Sequence, residues 1–186
     1  MEVVLILIVL GVLFLVIIYN RLVALRQERK QAFADIDVQL RQRYDLIPNL
    51  IETVKGYASH ESELLESITN ARANAMKSTG MGADRLNAEA SLGDSLFKLM
   101  AVAENYPDLK ANENFAKLQD ELSDIENKVA AARRFFNSAT SELNTAVEQV
   151  PAVLFAATFG FKKEPFFELE HDQRETMSEP PKVSFE

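Results

Sequence analysis

Residues 3–19 read VVLILIVLGVLFLVIIY, 17 positions without a charge. As a helix rising about 1.5 Å per residue they cover roughly 26 Å, just short of a hydrocarbon core of about 30 Å. Tyr19 suits the headgroup level, and Leu22, Val23 and Leu25 can lengthen the span. The run predicts a transmembrane anchor over residues 1–25, carried by Val3, Leu7, Leu10, Phe14, Ile18 and Tyr19. A cleaved signal peptide is the rival and fits poorly. Glu2 stands where such a peptide carries Lys or Arg, and no A-x-A site follows.

Charge beside the run sets an expected orientation. Residues 20–30, NRLVALRQERK, hold Arg21, Arg26, Arg29 and Lys30 against Glu28, whereas Glu2 is the one charged side chain before the run. The excess of flanking cations puts the rest of the chain on the cytoplasmic side and the N-terminus outside. The net charge of −8 argues against nucleic acid as a partner, because binding it needs a basic face. With no cysteine, the chain has no disulfide, thiolate metal site or cysteine nucleophile. Six Gly and six Pro leave little material for a turn-rich β fold.

Beyond the anchor, apolar residues recur with a period near 3.5. The clearest series is Phe115, Leu118, Leu122, Ile125, Val129, Ala132, Phe136, Ala139, Leu143 and Ala146. It predicts a helix over residues 112–148, with Asp108 or Asn112 as its cap. Ile47, Ile51, Val54, Ala58, Leu65 and Ile68 form a second seam, which passes Gly56 and ends near Gly80 and Gly82. An interior Gly costs about 1 kcal/mol relative to Ala, so a local irregularity is admissible at Gly56. A shorter third helix, capped by Asp84, carries Leu86, Ala90, Leu92, Leu96, Phe97, Leu99 and Met100. Phe33, Ile36, Leu40 and Tyr44 continue the anchor helix into the domain. Each helix has one apolar face to bury, so the expected product is all-α: a bundle of antiparallel helices over residues 26–149. The seams leave no second apolar face, and no large obligate interface is expected there.

Pro48 lies in LRQRYDLIPNLIETVKGY, residues 40–57. Inside a helix a proline removes a hydrogen bond and clashes with the preceding turn, costing about 3 kcal/mol or more. At a first turn it costs little, and Asp45 could cap the helix that follows. Local physics therefore favours a turn at Asp45–Pro48. The rival is a kinked continuous helix, because Leu40, Tyr44, Ile47 and Ile51 keep phase across the proline. With four helices the end of the last one returns to the bilayer; with three it lies at the far end.

Residues 150–170, VPAVLFAATFGFKKEPFFELE, bring together Phe155, Phe159, Phe161, Phe166 and Phe167 with Lys162 and Lys163. Two readings stay open. The rings sit at headgroup depth with the lysines toward anionic lipid, or the segment straps its rings onto the bundle end. Residues 171–186 are polar and expected to be disordered. His60-Glu61 lacks the second His of a zincin, since position 64 is Leu. Glu168-x-x-His171 has the spacing of a di-iron ligand pair, but no partner motif stands elsewhere. Walker, G-x-S-x-G and dinucleotide motifs are missing, so no catalytic, cofactor or metal residue is assigned and no enzyme is expected.

The ordered series YNRLV, IDVQLRQRYDLIPNLIETVKGYASHE, NARANA, NENFAKLQDELSDIENKVAAARRFFNSATSELN and FGFKKEPFFE resembles the LemA family of bacterial membrane-anchored proteins. The likeness runs from Tyr19 to Glu168. It departs at VPAVLFAAT, where members usually show Phe-Pro before the apolar run. The resemblance implies an up-and-down antiparallel four-helix bundle behind a single-pass anchor in the inner membrane, and so a turn at Pro48. It implies no established enzymatic activity, cofactor or catalytic residue. Some relatives serve membrane remodelling in magnetosome formation. Others are encoded beside membrane metalloproteases of the M48 class or TPM-domain proteins, which makes such proteins expected partners together with membrane lipid. The expected function is a non-enzymatic scaffold for protein partners; the alternatives to it are a membrane-shaping protein acting through the Phe-rich tail and a metal-carboxylate bundle enzyme.

Overall fold

The computed structural model describes residues 1–58, 60–80 and 82–167. Residues 168–170 of the Phe-rich segment, the Glu168–His171 pair and the tail expected to be disordered lie outside them. Among the described residues there are five helices and no strand: α1 (Glu2–Lys55), α2 (Ser62–Lys77), α3 (Ala83–Ala103), α4 (Pro107–Lys110) and α5 (Glu113–Glu148). The chain divides into two compact units. One joins Met1–Leu40 to Asn127–Phe167, the other is Arg41–Glu126, and α1 and α5 contribute to both.

The turn expected at Asp45–Pro48 does not occur: α1 runs unbroken through Pro48. Without an N–H, Pro48 leaves the Tyr44 carbonyl lacking its intrahelical donor. Arg72 on α2 supplies one, its Nε donating to that oxygen at 2.7 Å. The reversal falls instead after Lys55. There the Ala58 N–H donates to the Val54 carbonyl at 2.9 Å, and the Glu61 N–H donates to the Ala58 carbonyl at 3.1 Å. The second expected helix is thus two elements, the end of α1 and the whole of α2. Four long helices remain (α1, α2, α3 and α5), so the all-helical class stands although its first turn was misplaced.

In the second unit the four helices close around Leu50, Ile68, Leu92 and Leu99, all fully buried. Asn112 caps α5, its Oδ1 accepting from the N–H groups of Asn114 at 2.9 Å and Phe115 at 3.1 Å. The cap expected at Asp84 is replaced by Gly82, and Asp84 falls in the first turn of α3. Ala90 and Phe97 are not seam residues: both are exposed, and Glu89 takes the buried place between Leu86 and Leu92.

In the first unit α1 and α5 run antiparallel. Phe33 meets Phe136 with ring centroids 5.8 Å apart, and Arg29 bonds to Thr140 further along α5. Of the ten α5 seam positions all are buried except Leu118 and Ala132, which are half-buried. The end of this unit nearest the apolar stretch of α1 is filled by Leu22, Leu143, Ala146, Val147, Ala152, Ala156 and Phe161.

Candidate functional site

Every residue from Met1 to Ile17 is exposed, including Val3, Leu7, Leu10 and Phe14. Among the described residues one helix is long and apolar enough to cross a membrane, and it is this one. Packing begins at Ile18, which is half-buried, and Leu22, which is fully buried. The tail meets α1 at that boundary. Tyr19 touches the rings of Phe159 and Phe161 edge-on, at 5.4 and 5.8 Å between centroids.

After α5 the chain makes a short 3-10 turn over Ala152–Leu154. The Phe161 N–H then reaches back to the Ala156 carbonyl at 2.9 Å, across Gly160 at φ 74°. This is a left-handed closure that favours glycine, and it redirects the chain along α5. Residues 161–167 form a strap held by two asparagines. Asn144 accepts from the Glu164 N–H at 2.8 Å and donates to the Glu164 carbonyl at 3.0 Å. Asn137 repeats the arrangement with Phe167, at 2.8 and 3.2 Å. Seven residues apart on α5, the two amides lie on one face and act as a substitute strand edge.

Arg29 closes the strap from the α1 side. It donates to Thr140 Oγ1 and to the Pro165 carbonyl, each at 3.0 Å, and pairs with Glu164 at 3.3 Å. Its guanidinium lies 4.8 Å from the Phe136 ring centre. Burial lowers its pKa, and the Glu164 carboxylate partly offsets that.

The Phe-rich segment is divided by this geometry. Phe161 is buried beneath Tyr19 and Arg26, and Phe167 is buried against Phe136 and Arg133. Phe155 is half-buried, while Phe159 and Phe166 are exposed. Lys163 pairs with Glu148 at 2.6 Å, and Lys162 is exposed. Val150 and Leu154, 81% and 77% exposed, stand bare beside the first turn of the tail.

The second unit carries a buried polar cluster that the sequence analysis missed. Arg43 pairs with Glu89 and, at 2.8 Å, with Glu126, and the Tyr44 hydroxyl donates to Glu89. Burial, then the bond to Glu89, raises the Tyr44 pKa and keeps the phenol protonated. The ion pair is desolvated and shut away, which suits fixing α1 against α3 and α5 rather than turning over a substrate. Among the described residues no three acidic or histidine side chains converge as metal ligands. An open groove of about 390 Å³ lies between α3 and α5, walled by Leu96, Phe97, Met100 and Leu122, with Phe97 76% exposed. An apolar face does therefore remain on this unit, contrary to expectation.

Two signals for the missed residues were present. Glu89 stands three positions after Leu86 and three before Leu92, in phase with the seam. Asn137 and Asn144 each follow a seam residue, Phe136 and Leu143. Arg29 shows the first kind of signal as well, four positions before Phe33 and seven before Ile36, in phase with the apolar series of α1.

The magnetosome protein MamQ of Magnetospirillum gryphiswaldense is 22% identical over 174 residues, covering 80% of this chain. The magnetosome proteins MamQ 1 and MamQ 2 of Paramagnetospirillum magneticum are each 22% identical over 175 residues, or 81% of this chain. The chain spans 64% of the length of each of these relatives. A sequence model described as the LemA family matches residues 32–185, well over half of the chain, and the protein belongs to that family.

Proposed function

We propose that this chain is a non-enzymatic scaffold held in the bacterial inner membrane by α1, with its N-terminus outside and its helical units in the cytoplasm. The observation that carries this reading is the change of character along α1. An unbroken apolar stretch with no protein covering it, in water, would expose a continuous hydrophobic surface; in a bilayer it needs no cover. The polar clusters that follow are paired internally, which supports a structural part rather than a catalytic one. Partner proteins, among them membrane metalloproteases of the M48 class and TPM-domain proteins, would meet the cytoplasmic units. Bacterial membranes washed at alkaline pH should retain the full chain, and crosslinking in those membranes should capture a defined envelope protein. Release by the wash refutes the anchor; retention with no crosslinked partner refutes the scaffold.

A second reading rests on the bare side chains of Val150, Leu154 and Phe159. Phe159 touches Tyr19, where the apolar stretch ends, and Val150 lines one cavity with Ile18; with Leu154 they would enter the bilayer interface and bear on its shape. The relatives named as magnetosome proteins lend this reading support, through the membrane remodelling that the LemA resemblance implies for some members.

A further inference from the structure

Two small cavities open side by side on the first unit where the apolar stretch of α1 gives way to charge. The one nearer the bare helix, about 100 Å³, is lined by Ile18, Leu22, Val150 and Ala152. The other, about 180 Å³, reaches Leu25 on α1 and Ser141, Glu142 and Thr145 on α5. Arg21, Ala146 and Gln149 line both. Because α1 and α5 are antiparallel, the order along the groove is apolar wall, then guanidinium, then carboxylate. Glu142 lies one helical turn from Ala146, about 6 Å along the axis. Arg21 and Glu142 are both exposed, and among the described residues neither side chain makes a hydrogen bond or an ion pair.

We infer that this groove holds one phospholipid with an amine-bearing headgroup of the phosphoethanolamine type. Its phosphate meets Arg21, its ammonium meets Glu142, and the start of an acyl chain lies along Ile18 and Val150. Charge complementarity selects the ligand. A guanidinium makes strong charge-assisted bonds to phosphate, and a carboxylate one turn away suits a primary ammonium, which donates three hydrogen bonds. An anionic headgroup would leave Glu142 unanswered, and the quaternary ammonium of a choline headgroup has no N–H to offer it. The placement also fits a bilayer source, since Arg21 follows Tyr19 by two residues, about 3 Å of rise. The inference rests on the membrane reading of α1 above.

The test uses the full chain in detergent, titrated with phosphatidylethanolamine, phosphatidylcholine or phosphatidylglycerol and read by native mass spectrometry. The unaltered chain should retain phosphatidylethanolamine in preference to the other two. Arg21→Ala should weaken that adduct about tenfold, the size of one lost charge-assisted contact. Glu142→Gln should abolish the preference over phosphatidylglycerol while leaving phosphatidylglycerol binding intact. Circular dichroism should be unchanged in both variants, as each side chain is exposed. Equal adducts of all three lipids, a preference for phosphatidylglycerol, or insensitivity to either substitution would overturn the assignment. Extraction of membranes at alkaline pH separates the two failures: a chain that stays in the membrane but shows no headgroup preference refutes this site and leaves the anchor standing.

Discussion

In an uninterrupted helix the Tyr44 carbonyl would accept from the N–H of residue 48. Pro48 has none, and Arg72 takes the role from α2 at 2.7 Å. Arg72→Met should therefore cost about 1–3 kcal/mol, the penalty for a buried acceptor left without a donor. In a Pro48→Ala background the same substitution should cost far less, because an alanine at that position restores the backbone donor. Chemical denaturation of the four chains checks this, and equal costs of Arg72→Met in both backgrounds would refute the compensation. Next to Tyr44 in the chain, Arg43 is committed to Glu89. Removing Glu89 leaves the buried guanidinium with only the partly exposed Glu126 and leaves the Tyr44 hydroxyl without its acceptor, so Glu89→Ala should cost about 3 kcal/mol, the low end for breaking a buried pair. Tyr44 adds a pH dependence to the same cluster. Its pKa is raised in the folded state, first by burial and then by the bond to Glu89. The folded chain thus holds this proton more tightly than the unfolded chain, whose phenol titrates near about 10. The resulting stability is fully present below about pH 10 and is lost as pH rises through the higher folded value. Thermal melts from pH 8 to 11 should show a decline above about pH 10 that Tyr44→Phe makes shallower.

Among the elements, α5 was the most legible. Its seam, its bounds and its Asn112 cap all follow from the period and from one polar side chain. The hairpin between α1 and α2 was legible only in part. The seam keeping phase across Pro48 and the glycine at position 56 both pointed to the observed break, yet proline sterics outweighed them because Arg72, the residue that offsets those sterics, lies on another helix. The strap was ambiguous for a related reason: a Phe-rich stretch reads alike whether its rings are packed or bare, and here Phe161 and Phe167 are buried while Phe159 and Phe166 are exposed. What distinguishes them is the pair Asn137 and Asn144, whose amides face backbone that no periodicity announces. Substituting both asparagines by Ala should release residues 161–167 without unfolding the helices. Hydrogen exchange would report it as faster exchange at the Glu164 and Phe167 amides, with protection in the middle of α5 retained. Gly160→Val should loosen the same segment from its other end, since a branched residue at φ 74° costs about 1–2 kcal/mol. If both variants leave the two amides protected, the strap is held by its rings alone.

For the molecule as a whole, the decisive boundary is the one at Tyr19, where bare helix becomes packed helix and the tail arrives. The proposed orientation, which rests on the flanking cations Arg21, Arg26, Arg29 and Lys30, puts both helical units in the cytoplasm. A cysteine at exposed Ser123, in a chain with none of its own, should then resist a membrane-impermeant maleimide in intact cells and react once they are permeabilised. Depth is a separate matter from side. The turn that carries Leu154 and Phe159 packs beside the last apolar residues of α1, so an anchor that spans the bilayer would bring that turn to the interface. Gln31 lies twelve residues beyond Tyr19, about 18 Å further along the helix, outside the headgroup region. An environment-sensitive dye on Ala157→Cys in vesicles should be strongly quenched by a quencher fixed to the lipid chains, and the same dye on Gln31→Cys should hardly respond. Strong quenching at both positions would mean that the segment after Tyr19 lies along the membrane surface. Quenching at neither would leave the tail as a cover for the end of α5 and remove the lipid-facing reading, while the alkaline wash would still decide whether α1 is an anchor.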